Sequence, residues 1–211
     1  MKKVISYILI GVIFLVSASG YSYAIAAQND DLIDSISNKI IRFHVLANSN
    51  SKDDQELKIE VKDKIIEYIF PKLEESNSLE ESRKVLYENE KEIINIANQC
   101  IKDNGYGYSV KVEFKRENFP DKVYGNITLP QGEYEAFRVL IGQAQGENWW
   151  CVMFPPVCFV DITKGQVSYE ETEEAMKEVL TDEEFDKVNN SVIVDESENI
   201  KFSLKVFDLF K

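Results

Sequence analysis

Histidine occurs once in this 211-residue chain, at His44, and cysteine three times, at Cys100, Cys151 and Cys158. Structural zinc sites draw four ligands from C-x2-C or H-x3-H clusters, and no such cluster is present. The His-x-Glu and Pro-Cys-x-x-Cys pattern of the zinc deaminases is also missing. Three cysteines are too few for the disulfide scaffold of a small secreted domain. Glycine-rich phosphate loops are absent as well, since the segment with Gly142 and Gly146 fits neither a Walker loop nor a dinucleotide fingerprint. Basic clusters are lacking: Lys and Arg number 24 against 37 Asp and Glu, a net charge of -13. Such a chain is repelled by nucleic-acid phosphates and by anionic lipid headgroups. No cofactor, metal or nucleic-acid partner is therefore expected. Repeats, Ser/Gly linkers and low-complexity tracts do not occur.

What is present begins with the N-terminus. Lys2 and Lys3 precede an apolar run from Val4 to Val16, and small residues follow, ending in Ala24-Ile25-Ala26. That order is the layout of a secretory signal peptide with cleavage after Ala26. The run is short of the roughly 20 apolar residues that span a bilayer, but Ala18 to Ala27 extends it far enough to leave an uncleaved anchor open. Residues 1–26 are thus read as a signal peptide or N-terminal membrane anchor, and 27–211 as a single exported domain of about 185 residues. Removing Lys2 and Lys3 takes the charge from -13 to -15. If the segment is not cleaved, it is the chain's one expected contact with the membrane.

Hydrophobic periodicity outlines that domain. Ile40 to Ala47 reads as a strand, with Ile41, Phe43 and Val45 on one face and Arg42, His44 and Leu46 on the other. Ser51 and Asp54 have the spacing of a helix cap. Leu57, Val61, Ile65, Ile69 and Leu73 then recur every four residues, and the helix is expected to end near Pro71. Ser78 and Glu81 open a second helix running to about Asp103, and the two form an antiparallel pair. Tyr108 to Phe114 alternates as a half-buried strand. VYGNITL is expected as a strand, LPQGEY as a turn, and YEAFRVLIG as a strand closing on the loop GQAQGEN. WWCVMF and VCFVDI flank Pro155-Pro156. Glu170 to Val188 is expected as one helix and KFSLKVF as a terminal strand. The order predicts an α+β fold: a mixed or antiparallel sheet with a helical hairpin and one further helix packed on it.

Three constellations are candidates for function. His44 with Cys151, Cys158 or Cys100 is the raw material of a thiol hydrolase, with Asn48, Asp53 or Asp54 orienting the base. Against this, Cys151 and Cys158 lie in an unbroken apolar run, where thiols are usually inert. In an exported chain those two are instead the better candidates for a single disulfide, leaving Cys100 as an odd buried thiol. Glu133 and Glu135 flank Tyr134, but nothing singles out a glycosidase pair among so many carboxylates. The third constellation is NWWCVMFPPVCFVD. Trp149 and Trp150 are adjacent, so in a strand they point to opposite faces, and one is exposed unless the sheet is covered on both sides. An exposed Trp beside rigid prolines suits a protein-binding hot spot.

Two blocks, RFHVLANSNSKDDQELKIEVKD from Arg42 and LPQGEYEAFRVLIGQAQGENWWCVMFPPVCFVD from Leu129, resemble stage II sporulation protein R of endospore-forming bacteria. The resemblance implies a protein made in the forespore and exported into the space between the septal membranes. There it would activate a membrane-embedded aspartic protease that processes the sigma-E precursor in the mother cell. It also implies a partner-binding role for Arg42, His44, Asn48, Ser49, Asp54 and Gln55, placed at a strand end and helix start. Trp149, Trp150, Pro155 and Pro156 would form the apolar anchor. The competing reading is an exported Cys-His hydrolase acting on septal peptidoglycan.

Overall fold

The computed structural model describes residues 31–157 and 169–190. A helical turn over 31–37 (α1) precedes β1 (Ile41–Leu46), followed by the long helices α2 (Lys52–Glu74) and α3 (Leu79–Asp103). Strands β2 (Val110–Phe119), β3 (Lys122–Tyr124), β4 (Ile127–Leu129), β5 (Gly132–Ile141) and β6 (Asn148–Phe154) come next. Helices α4 (Tyr169–Val179) and α5 (Asp182–Val188) close the described chain. The main sheet has the order β2-β5-β1-β6. It is mixed: β1 runs parallel to β5, while β1–β6 and β2–β5 are antiparallel.

The two expected caps are present. Ser51 and Ser78 accept hydrogen bonds from the backbone N–H groups of Asp54 and Glu81, satisfying one orphan donor at each helix start. The apolar stripe of α2, from Leu57 to Leu73, is buried against the sheet together with Leu86, Ile93, Ala97 and Ile101 of α3. Burying each large aliphatic side chain stabilises the fold by about 1.5–3 kcal/mol. Two polar contacts set how the pair sits. Tyr68 donates to Asn89 at 2.7 Å between the helices, and Arg83 of α3 grips Glu135 of β5 with two 2.7 Å bonds. That bidentate geometry fixes orientation as well as distance.

The structure corrects the expected elements in five places. The strand expected over Tyr108 to Phe114 is β2, which starts at Val110 and runs on to Phe119. Helix α2 continues through Pro71 to Glu74, because Leu73 is fully buried and holds the last turn against the core. VYGNITL is not one strand but the hairpin β3–β4, reversing at Gly125 with its φ of 62°. The expected helix 170–188 is two, broken where Thr181 caps α5 in a reciprocal box with Glu184. Helical cover on one face becomes cover on both: α1, the hairpin, α4 and α5 pack on the second face, around Phe119, Tyr134, Val152, Met176 and Phe185. Glu184 locks this layer, accepting from Lys39 and Ser35, each at 2.6 Å, and from the Thr181 N–H at 2.7 Å. Burial would raise its carboxyl, but those donors outweigh it and hold the pKa down at about 2.

Among the described residues no helix is long and apolar enough to cross a membrane. The signal segment 1–26, Cys158 with the rest of VCFVDI, and the expected strand KFSLKVF lie outside the described residues. Cys151 is disulfide-bonded and Cys100 is free, half-buried on α3 with its thiol pushed up by burial. Thiol titration of the denatured, unreduced protein is therefore expected to yield one free thiol; three would contradict the bridge.

Candidate functional site

The two sequence blocks meet in space because β1 and β5 lie side by side in parallel, ending together at Leu46 and near Ile141. Their outgoing loops, Ala47–Ser51 and Gly142–Glu147, are stitched to one another. Asn48 accepts from the Gln143 N–H at 3.0 Å, and Asn50 accepts from the Glu147 N–H at 2.6 Å. Backbone bonds add Gln145 N–H to Asn48 O and Gly146 N–H to Ala47 O. The approach is close enough to require glycine. A Cβ on Gly142 would stand 2.3 Å from Asn48 Oδ1, and one on Gly146 would stand 2.3 Å from the Ser49 carbonyl oxygen.

Asp54 anchors this junction from the first turn of α2. It is 4% exposed and accepts from Asn48 at 2.9 Å and from Ser49. Burial alone would raise its pKa, yet the hydroxyls and amide of Ser49, Asn48, Tyr108 and Ser51 leave it lowered. Gln55 donates to the Ser49 carbonyl and accepts from Lys58, which also donates to the carbonyl of Glu147. Asn48, Ser49, Asp54 and Gln55 thus form one network that shapes the loop. Its outer residues, Asn50, Ser51, Lys52, Gln143 and Gln145, face solvent.

Arg42 and His44 are placed differently from the expectation. Both are mid-strand and fully buried on the second face of the sheet, rather than displayed at a strand end. Arg42 lies among aromatic rings, its guanidinium carbon 4.5 Å from the centre of Phe119, 4.8 Å from Tyr134 and 5.6 Å from Tyr124. It donates to the Tyr124 hydroxyl at 3.1 Å. Cation–π attraction is strongest for such a desolvated cation. Burial pushes Tyr134 up to about 12, with the nearby Arg42 charge working against the rise.

His44 stacks on Trp150 with ring centres 4.9 Å apart and accepts a 2.6 Å hydrogen bond at Nε2 from Arg138 Nε. The proton of the neutral ring therefore sits on Nδ1. Burial, followed by the charges of Arg138, Arg42 and Lys115, lowers its pKa to about 3, against a small opposing effect of Glu113. A histidine so held is neutral near pH 7, and its lone pair is engaged by a cation. Arg138 in turn donates to Glu113 at 2.8 Å and lies 2.6 Å from Glu117. Cys151 is opposite Phe43 in the register and is disulfide-bonded, and Cys100 lies in the helix layer on the other side of the sheet. Among the described residues no free thiol accompanies His44, and no group of His, Cys, Asp and Glu is arranged to hold a metal ion.

Trp149 and Trp150 do point to opposite faces, and because both faces are covered both are half-buried. Trp149 packs edge-on to Phe43 beneath Lys62, whose ammonium is 4.7 Å from the ring centre. Trp150 meets His44, Phe119 and Lys122. Pro155 is buried and Pro156 half-buried, so the proline turn offers less surface than its composition suggests. Arg138, Glu113 and Tyr108 escaped the sequence reading. Their signal was the polar alternation of β2 and β5, which acquires meaning only once register pairs Glu113 with Arg138.

The family model of stage II sporulation protein R matches residues 37–164, which include both stitched loops and the strands that carry them. The chain belongs to the stage II sporulation protein R family. Stage II sporulation protein R of Bacillus subtilis (strain 168) is 35% identical over 186 residues, covering 83% of each chain. No solved structure matches.

Two outcomes follow from this geometry. His44 has a folded pKa below its unfolded value near 6.5, so its contribution is complete above about pH 6.5 and declines as pH falls toward 3. Between pH 7 and 5 this one group should remove about 2 kcal/mol of stability, and urea melts of His44→Gln should show a flatter pH dependence over that window. Gly146→Ala should cost at least about 2 kcal/mol in the same assay, since the atom it strikes is backbone and cannot rotate away.

Proposed function

We propose that this protein is an exported intercompartmental signal of sporulation. It crosses from the forespore into the space between the septal membranes and activates the membrane-embedded aspartic protease that processes the sigma-E precursor. The observation that carries the reading is family membership over 37–164, the part of the chain in which the two stitched loops and the central strands lie. The N-terminal pattern of two lysines, an apolar run and Ala24-Ile25-Ala26 supports export. The protein acts as a ligand and leaves catalysis to the protease. In support of that role, the His44 lone pair is occupied by Arg138, and Cys151 is consumed in a disulfide. A Cys-His hydrolase needs a free thiol within reach of an available imidazole, and nothing described here favours one.

The signalling contacts are assigned to the solvent-facing side of the Asn48–Gln55 loop and to Trp149 and Trp150, with Arg42, His44, Pro155 and Pro156 shaping the surface from beneath. Replacing residues 1–26 by an unrelated cleavable secretion signal should leave processing of the sigma factor precursor intact in sporulating cells. Loss of processing despite normal export would show that the N-terminal segment itself carries the signal.

A further inference from the structure

The second face of the sheet is covered unevenly. Across its middle runs one row of paired residues, Glu113, Arg138, His44 and Trp150, one from each strand. On one side of that row Arg42, Ala136 and Val152 are buried beneath the second layer. On the other side Leu46, Leu140 and Asn148 are only half-buried and Lys111, in their row, is 71% exposed, while Lys115, in the row of Ala136 and Arg42 but at the β2 edge, is 51% exposed. This end of the face is therefore an accessible strip with an aliphatic floor and the half-buried Trp150 at its margin.

Its charge is opposite to that of the whole molecule. Lys111 and Arg138 border the strip, Lys115 flanks Glu113 from across the row and Lys122 lies over the Trp150 ring, against the carboxylates of Glu113 and Glu117. Glu113 is already shared among Lys111, Lys115 and Arg138. Beneath them Arg42 adds a further buried cation, and among the described residues it has no hydrogen-bonded carboxylate. A local excess of positive charge on a chain of net charge -13 attracts an anionic partner to one place and repels it elsewhere. Trp150, braced by His44 and Phe119, is held rigid and half-exposed, which suits an aromatic anchor.

We propose that this strip is a docking surface for an acidic polypeptide segment carrying apolar side chains. Carboxylates of the segment would pair with Lys111 and Lys115, and an apolar side chain would settle on Leu46, Leu140 and Trp150. The inference rests on the reading that the protein signals by contacting another protein. An anionic lipid surface is the weaker match. Lipid-binding patches gather four or more unopposed basic residues, whereas here two carboxylates are interspersed and the rest of the chain is strongly acidic.

The test uses the full-length chain in neutral detergent micelles and a fluorescein-labelled peptide of alternating Glu and Leu. Binding should weaken at least about tenfold in the Lys111→Glu/Lys115→Glu variant and persist in Lys111→Arg/Lys115→Arg. Raising NaCl from about 50 to about 500 mM should weaken wild-type binding in the same direction. The melting temperature of each variant is measured in the same sample, and both lysines are exposed enough for the fold to survive. Peptide binding that is absent, or equal in the wild type and the folded Glu variant, overturns the proposal. So does a preference for phosphatidylglycerol over phosphatidylcholine vesicles that vanishes in the Glu variant, which would assign the strip to lipid. In sporulating cells the Glu variant should be exported but fail to trigger precursor processing. A wild-type chain that fails to trigger processing removes the signalling function itself, whereas a Glu variant as active as wild type removes only the docking surface.

Discussion

Burying Arg42 and His44 on the central strand is the constraint around which the second half of the molecule is arranged. A cation taken out of water without compensation is costly by several kcal/mol. The chain meets that cost with rings and dipoles rather than a carboxylate: Phe119, Tyr124 and Tyr134 enclose the guanidinium, and the Tyr124 hydroxyl accepts from it. Those three aromatics come from the end of β2, from β3 and from the start of β5. The short hairpin therefore has a reason to fold back over the sheet. His44, two residues along, is kept neutral by burial and by the positive charge around it, which makes its stack on Trp150 and its bond from Arg138 mutually consistent.

The helix face is held by a different force. It is a conventional apolar interface in which α2 and α3 bury regularly spaced aliphatics against Phe43, Val45, Phe137 and Val139. Its polar fittings lie at the periphery, in the Arg83–Glu135 grip and the Lys62–Trp149 contact. One sheet thus separates a dry core from a polar-aromatic one. Of the two adjacent tryptophans, Trp150 packs on the polar-aromatic core and Trp149 touches both.

The Asn48–Gln55 loop owes its shape to three things at once: the N-terminus of α2, the buried Asp54 carboxylate and the Gly142–Glu147 loop. Each of Asn48, Ser49 and Gln55 spends a polar group inside the network, so the surface presented outward is prescribed by interior bonds. A loop so constrained is preorganised, and a partner need not supply the ordering entropy on binding. That property accords with the signalling role proposed above.

The elements carried by local pattern were legible in the amino-acid order. Helices α2 and α3, their Ser51 and Ser78 caps, strands β1, β5 and β6 and the first half of β2 follow from short-range spacing, because a 3.6- or 2-residue period reports which side of an element is dry. So does the opposition of Trp149 and Trp150. Elements decided by long-range contact were not. Pro71 was expected to end α2, but the burial of Leu73 outweighs the hydrogen bond that proline removes. VYGNITL has strand composition throughout, and only packing over Arg42 shows that Gly125 must turn. Arg42 and His44 looked like displayed polar residues because polarity in a sequence says nothing about what lies opposite. Register across four strands brought Glu113, Arg138, His44 and Trp150 into one row, and register is a property of the folded sheet that no single segment contains.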